Sequence, residues 1–102
     1  MLGPGDVIHG RYALRASIAS GAMAHVFLAE DARLGRQVAV KVLAPELAAN
    51  PNAVERFRRE AEAAGALSHL NVVAVYDWGT VDDTAFLVMQ YVPGADLRQV
   101  LR

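Results

Sequence analysis

The chain has 102 residues, of which 54% are hydrophobic, and its formal net charge is −1 at pH 7. This length suits one small domain, and the apolar content is enough to bury a core, which argues against disorder. Basic and acidic residues are interspersed, so neither a nucleic acid nor an anionic membrane is indicated as a partner. The absence of cysteine excludes disulfides, thiolate metal sites and a cysteine nucleophile, and it suits a cytoplasmic protein.

The first half of the chain predicts three antiparallel strands in a meander. Residues 1–10 hold three glycines and a proline, so we expect a flexible lead-in there. Apolar side chains alternate over 12–18, and the segments 25–30 and 37–43 are rich in strand-forming apolar residues. Glycine-containing loops, ASGAMA and DARLGR, separate the three segments, as expected of hairpin turns.

A helix is predicted over 53–68, with Asn52 as its N-cap. The sequence of this segment, AVERFRREAEAAGALS, is rich in helix-forming residues. Val54 and Phe57 begin an apolar stripe at helical spacing, and Glu60 lies about 60° from Phe57 around the helix axis. Glu60 is therefore the acid that we expect to face the sheet, whereas the other glutamates of the helix face water.

Two strongly apolar segments, 71–79 and 85–92, are predicted to be central strands joined by the turn TVDDT. The last residues, PGADLRQVLR, are expected to begin a second helix. We therefore predict an α+β fold in which a five-stranded antiparallel sheet packs on one long helix.

Four segments in a fixed order carry the functional prediction. They are a hairpin loop (IASGAMAHV), a strand that ends in VAVK, a helix (RFRREAEAAGALSH) and the stretch LVMQYVPGADL. Over residues 11–102 this arrangement resembles the N-terminal lobe of protein kinases, in particular the bacterial eukaryotic-like Ser/Thr protein kinases. The resemblance implies a kinase N-lobe over 11–92, then the hinge exit and the start of the first C-lobe helix over 93–102, with the rest of the C-lobe absent.

The resemblance also implies an ATP site formed by the sheet and its first hairpin. In the family pattern G-x-G-x-x-G-x-V, Gly21 keeps the middle glycine, whereas Ala19 and Ala24 replace the outer ones. The added methyl of Ala19 is expected to weaken the fit of the loop around the nucleotide. The residues implied to bind ATP are Ile18, Ala19, Ser20, Gly21, Ala22, Met23, Ala24, Val26, Ala39, Lys41, Met89, Gln90 and Val92.

Lys41 and Glu60 are the catalytic residues that the resemblance implies. Lys41 would bind the α- and β-phosphates while Glu60, from the helix, holds its ammonium in place. Met89 matches the gatekeeper position. The backbone carbonyl of Gln90 and the backbone N–H and C=O of Val92 would meet the adenine edge.

The residues alone leave structural interpretations open. Gly21 could serve an ordinary hairpin turn, Lys41 could extend to water from a strand end, and Ile18 could simply belong to the core. Three hypotheses therefore compete: the ATP-binding lobe of an active Ser/Thr kinase, a pseudokinase-like binding or dimerisation module, and an unrelated α+β scaffold. The loss of a loop glycine at Ala19 is what suggests the second.

The motifs H-R-D-x-x-x-x-N and D-F-G, which supply the catalytic base and the Mg²⁺ ligands, do not occur in the sequence. We therefore expect no metal ligand in this chain, Mg²⁺ ligands and the protein-substrate site in the missing C-lobe, and no activity of the chain alone. By resemblance, Arg11, Leu34 and Asp77 match positions through which such kinases form homodimers. The expected location is cytoplasmic, including the cytosolic domain of a membrane-anchored receptor kinase, with no membrane contact by this segment.

Overall fold

The computed structural model describes residues 2–66 and 74–93, with side chains for 2–59 and 74–93. Predictions that fall on 67–73 and 94–102, including the second helix and the start of the strand predicted over 71–79, lie outside the described residues. The elements in chain order are β1 (Val7–Ile8), β2 (Tyr12–Ser20), β3 (Ala24–Asp31), β4 (Arg36–Leu43), a 3-10 helix (Pro45–Leu47), α1 (Pro51–Ala66), β5 (Val75–Val81) and β6 (Thr84–Gln90).

The strands form one antiparallel sheet in the order β1-β2-β3-β4-β6-β5. The prediction of five strands is wrong, because β1 adds a sixth within the segment expected to be a lead-in. Two residues are too few to show the alternation from which a strand is predicted. The helix is described over the 16 residues Pro51–Ala66, so it begins two residues before the predicted segment 53–68, and it is a short helix rather than the long one named in the fold prediction.

β5 lies at the edge of the sheet rather than in its centre, contrary to its prediction. Its side chains alternate between half-buried and exposed, as expected for a strand that packs on one face only. The turn from β5 to β6 is formed by Asp82 and Asp83, with φ of 48° and 64°. Two successive left-handed residues match the twist of a two-residue hairpin, so this turn sets the register of the last two strands.

Apolar side chains form one cluster on each face of the sheet. The helix-side cluster consists of Ala24, Val26, Ala39, Leu43, Phe57, Ala85, Leu87 and Met89. The seam cluster, on the opposite face, consists of Ile8, Tyr12, Leu14, Phe27, Ala29, Val38, Val40, Val42, Phe86 and Val88. Because β4 contributes to both clusters, its sequence is an almost continuous apolar run rather than an alternating one.

Side-chain hydrogen bonds join the two ends of the curled sheet. The Nε2 of His9, just after β1, lies 2.9 Å from the carbonyl oxygen of Thr80 in β5. The Tyr12 hydroxyl donates to the Asp77 carboxylate over 2.8 Å. Burial, together with this hydrogen bond to a carboxylate, raises the pKa of Tyr12 to about 12. The phenol therefore stays protonated and able to donate throughout the neutral range.

The first turn of α1 is capped by Asn50, not by Asn52 as predicted. The Asn50 side-chain oxygen accepts from the backbone N–H groups of Asn52 and Ala53 over 3.0 and 3.2 Å. Pro51 occupies the first helical position, where its missing N–H is not needed. Asn52 thus lies one residue inside the helix that it was expected to cap.

Asp31, at the end of β3, is a buried carboxylate with a complete set of donors. Two guanidinium nitrogens of Arg11 donate to its two oxygens, each over 2.9 Å. The backbone N–H groups of Arg33 and Leu34 donate to the same carboxylate over 3.0 and 3.3 Å. The Arg11 hydrogen bonds, with help from the backbone donors, lower the pKa of Asp31 to about 2.

We expect Asp31→Asn to remove part of the pH dependence of stability in acid. The native pKa of about 2 lies below the ordinary value of 3.8, so the contribution of the carboxylate is complete above about pH 4. It is lost as the pH falls through 2, where the native carboxylate is protonated. Thermal unfolding followed by circular dichroism should show a smaller drop in Tm between pH 4 and 2 for the variant than for the parent. Asp83→Asn, in an exposed turn, is the control, and equal acid sensitivity of parent and Asp31→Asn would contradict the assignment.

Candidate functional site

The pairing of the central strands places the predicted site residues side by side. Lys41 in β4 pairs with Val26 in β3, which in turn pairs with Ala19 in β2. Two residues before Lys41 in β4, Ala39 pairs with Met89 of β6. Directly paired residues of an antiparallel ladder project from the same face, so these rows form one continuous surface on the side of α1.

Six of the apolar residues predicted to bind ATP meet on this surface. Four of them are buried members of the helix-side cluster, and two at the end of β2 are partly buried and pack against it. The four are Ala24, Val26, Ala39 and Met89, and the two are Ile18 and Ala19. The structure thus brings together residues that lie up to 71 positions apart in the sequence, from Ile18 to Met89.

Lys41 is buried on the same surface. Its side chain is 5% exposed, although an ammonium is among the groups most costly to remove from water. The Nζ atom lies 5.5 Å from the centroid of the Phe57 ring in α1. Lys41 is also the single lysine of the chain, whose other basic residues are arginines. A buried lysine among apolar neighbours is the unusual polar feature of this surface.

The predicted partner of Lys41 is not described at the level of its side chain. Glu60 belongs to α1, but its side chain lies outside the described residues, so the Lys41–Glu60 ion pair stays a prediction. Glu55, which was expected to face water, pairs with Arg58 and Arg59 on the helix surface. The Arg58 and Arg59 guanidinium groups hold the pKa of the Glu55 carboxyl below its usual value.

The predicted phosphate loop is the exposed tip of the β2–β3 hairpin. The N–H of Gly21 donates to the carbonyl of Ala24 over 2.9 Å, which closes the hairpin. The carbonyl of Met23 accepts from the N–H of Ala44, at the end of β4, over 2.8 Å. The Met23 sulfur lies 3.9 Å from a guanidinium nitrogen of Arg56 in α1. The loop is thus joined to both the strand that carries Lys41 and the helix.

The predicted hinge residues follow the end of β6. Gln90 is the last residue of that strand, and its N–H donates to the carbonyl of Ala74 over 2.8 Å. Tyr91 packs against the helix-side cluster, and Val92 is exposed. Gln90 thus directly follows the buried Met89, and Val92 lies two residues further along the chain.

Two of the three residues predicted for a homodimer, Arg11 and Asp77, contact Tyr12 of the seam cluster. Arg11 is held by Asp31, and Asp77 accepts from Tyr12. Leu34, in the β3–β4 turn, is 58% exposed. The homodimer stays a prediction.

In the described part of the chain, no group of three or more His, Cys, Asp or Glu side chains could hold a metal ion. Within those same residues, no helix combines the length and the apolarity needed to cross a membrane.

Two features of the structure were not predicted from the sequence. The contact between Lys41 and Phe57 was not predicted, although Phe57 was placed on the apolar stripe of the helix. The scarcity of lysine is a signal that could have singled out Lys41, since a chain with ten basic residues and one lysine is unusual. The buried carboxylate of Asp31 was also missed, although an aspartate that opens a turn before glycine often accepts from the next backbone N–H groups.

A curled antiparallel sheet, with a helix against the face that carries a buried lysine, defines a kinase-like fold of the N-lobe type. The crystal structure of the Mycobacterium tuberculosis PknI kinase domain has this fold; it matches with a TM-score of 0.75 and 33% identity, over 98% of this chain and 40% of that one. The chain belongs to the protein kinase domain family, which matches residues 12–102.

Similar full-length proteins are bacterial kinases. A probable serine/threonine-protein kinase from Corynebacterium efficiens is 52% identical over 100 residues, which cover 94% of this chain. The serine/threonine-protein kinase PrkC of Bacillus subtilis is 44% identical over 97 residues, or 95% of this chain. The chain spans 15% of the length of each of these two relatives.

Proposed function

We propose that this chain is the ATP-binding lobe of a Ser/Thr protein kinase, which transfers the γ-phosphoryl group of ATP to protein Ser or Thr. The observation that carries the proposal is the buried lysine, Lys41, whose direct cross-strand partners are apolar. A triphosphate needs a fixed cation, and adenine needs an apolar slot with backbone groups at its edge. In this proposal, one surface of the sheet and the segment after β6 would provide all three.

Each part of ATP has a counterpart among the described residues. The adenine ring would lie against Ile18, Val26 and Ala39. The small side chain of Ala39 leaves room for a flat ring. Its edge would meet the backbone of Gln90 and Val92, as the resemblance implies. The phosphates would lie under the hairpin tip, whose exposed backbone at residues 20–22 can approach them closely.

Lys41 would bind the α- and β-phosphates, held by the carboxylate of Glu60. Glu60 follows Phe57 by three residues in α1, and residues three apart are neighbours on a helix surface. Because Phe57 contacts Lys41, this helix register supports the proposed ion pair. Movement of α1 would then separate the two charges and switch the site off.

The described residues do not fit a Mg²⁺ site, because they lack a cluster of carboxylates. The Mg²⁺ ligands would lie in the C-lobe, as the resemblance implies. The chain alone would bind ATP weakly, since it supplies one side of the cleft, and would not transfer phosphate. A cytoplasmic location, including that of the cytosolic domain of a membrane-anchored receptor kinase, belongs to the same proposal.

One observation favours a second function, that of a pseudokinase-like binding or dimerisation module. Ala19 replaces the first loop glycine and pairs with Val26, so its methyl group lies beside the proposed nucleotide site. In this alternative Arg11, Leu34 and Asp77 would take part in the homodimer, and phosphotransfer would be absent.

We expect the full-length protein, given Mg²⁺ and γ-labelled ATP, to place labelled phosphate on serine or threonine in itself or in a peptide library. Mass spectrometry would identify the modified residues, and isothermal titration would measure ATP binding. The 102-residue chain alone should incorporate no label. Binding without transfer by the full-length protein would favour the pseudokinase-like module, and the absence of both would contradict an ATP site.

A further inference from the structure

Phe57 is the helix side chain that lies beside the buried lysine. Phe57 and Lys41 are each 5% exposed, and the Lys41 Nζ lies over the ring, 5.5 Å from its centroid. A cation within about 6 Å of an aromatic face is attracted by the negative potential of the π system, most strongly where water is excluded. We propose that Phe57 is a positioning residue that holds the Lys41 ammonium for the phosphates of ATP, an inference that rests on the proposed ATP site.

The neighbours of Lys41 in the sheet explain why the ring matters. Val26 and Leu87, its two direct cross-strand partners, are aliphatic and belong to the helix-side cluster. As direct partners on one face of the sheet, their side chains lie beside that of the lysine, whereas the Nζ atom lies over the Phe57 ring. The ring therefore adds an electrostatic attraction at Nζ that a leucine of similar size would not provide.

The contact between Phe57 and Lys41 joins α1 to the site through a ring that carries no charge of its own. A phenyl ring does not titrate and has no net charge, so salt and pH weaken this attraction less than they weaken an exposed ion pair. An ammonium that is already held in place loses less freedom when the phosphates bind. Phe57 thus acts through Lys41 and should set the affinity for ATP rather than contact the nucleotide itself.

The test is a series of phenylalanines with one, two and three ring fluorines, incorporated at position 57 of the full-length protein. Each fluorine withdraws electron density from the ring face and changes the ring volume little. We expect the dissociation constant for ATP, measured by isothermal titration, to rise stepwise by about tenfold across the series. A merely structural ring gives a flat series, and that result would overturn the inference.

Phe86 provides the matched control. It is a buried phenyl in the seam cluster, on the opposite face of the sheet, so the same fluorine series at position 86 should leave ATP affinity unchanged. An equal trend at both positions would show that fluorination acts through general packing and would overturn the inference.

Two further measurements separate this inference from the proposed function. Lys41→Met should abolish the trend at position 57; if it leaves ATP affinity intact, the ATP site itself is wrong. If Lys41→Met weakens binding and the series is flat, only the role of Phe57 is wrong. Without any nucleotide, the ε-methylene protons of Lys41 should resonate upfield through the ring current and return toward ordinary values in Phe57→Leu.

Discussion

Replacing Lys41 with methionine is expected to lower phosphotransfer by the full-length protein roughly 100- to 1,000-fold, the usual effect of removing one fixed group that stabilises charge in a transition state. The substitution keeps a flexible apolar chain of similar length in a site that is 5% exposed. It removes the cation that would grip the phosphates, so both ATP binding and transfer should fall. Label transfer from γ-labelled ATP measures the loss.

Arg33→Met is the matched control for this variant. It also removes one positive charge, but from an exposed residue of the β3–β4 turn, far along the strand from the site. Its activity should equal that of the parent, and far-UV circular dichroism should show that both variants keep their secondary structure. Full activity in a folded Lys41→Met variant would exclude the proposed role of this lysine.

The second large effect is expected on stability. Phe86→Ala should lower the free energy of unfolding of the chain by about 3–5 kcal/mol, the range for loss of a buried phenyl. Phe86 is 1% exposed and lies edge-on to His9, at 5.3 Å between ring centroids, and 6.4 Å from the Tyr12 ring. A Cβ at Gly79 would come within 3.4 Å of it. The ring therefore fills the space where the two ends of the sheet meet.

Such a loss is a large part of the roughly 5–15 kcal/mol that stabilises a small domain. Urea denaturation followed by tryptophan fluorescence would measure it. Leu34→Ala, in an exposed turn, is the control and should change the unfolding free energy by no more than about 0.5 kcal/mol. A loss below about 1 kcal/mol for Phe86→Ala would mean that the seam cluster contributes little to stability.

The positions of β2, β3, β4 and β6 could be predicted because each has a long apolar or alternating pattern between turn residues. β1 could not, since two residues carry no period. The edge position of β5 was also beyond reach, because strand order depends on which strands pair in three dimensions rather than on the composition of one strand. The helix start was predicted at Asn52 alone, but Pro51 suits the first helical position, which makes the preceding Asn50 the cap.

The order of the motifs and the two-residue period of a strand were enough to predict that these residues come together on one surface. Lys41 and Val26 face the same way because antiparallel pairs share a face, a rule that needs only the correct register. The contact of Lys41 with Phe57 could not be predicted, since it depends on the distance and rotation of α1 over the sheet. Those quantities are set by packing among many side chains.

The location of the only lysine has a consequence for regulation by modification. The exposed cations of the described chain are guanidinium groups, and acetyl transfer to side-chain amines does not neutralise them. The one side-chain amine that could be acetylated lies inside the protein, out of reach of a modifying enzyme while the fold is intact. The surface charge of this stretch is therefore fixed against a modification that alters many other proteins.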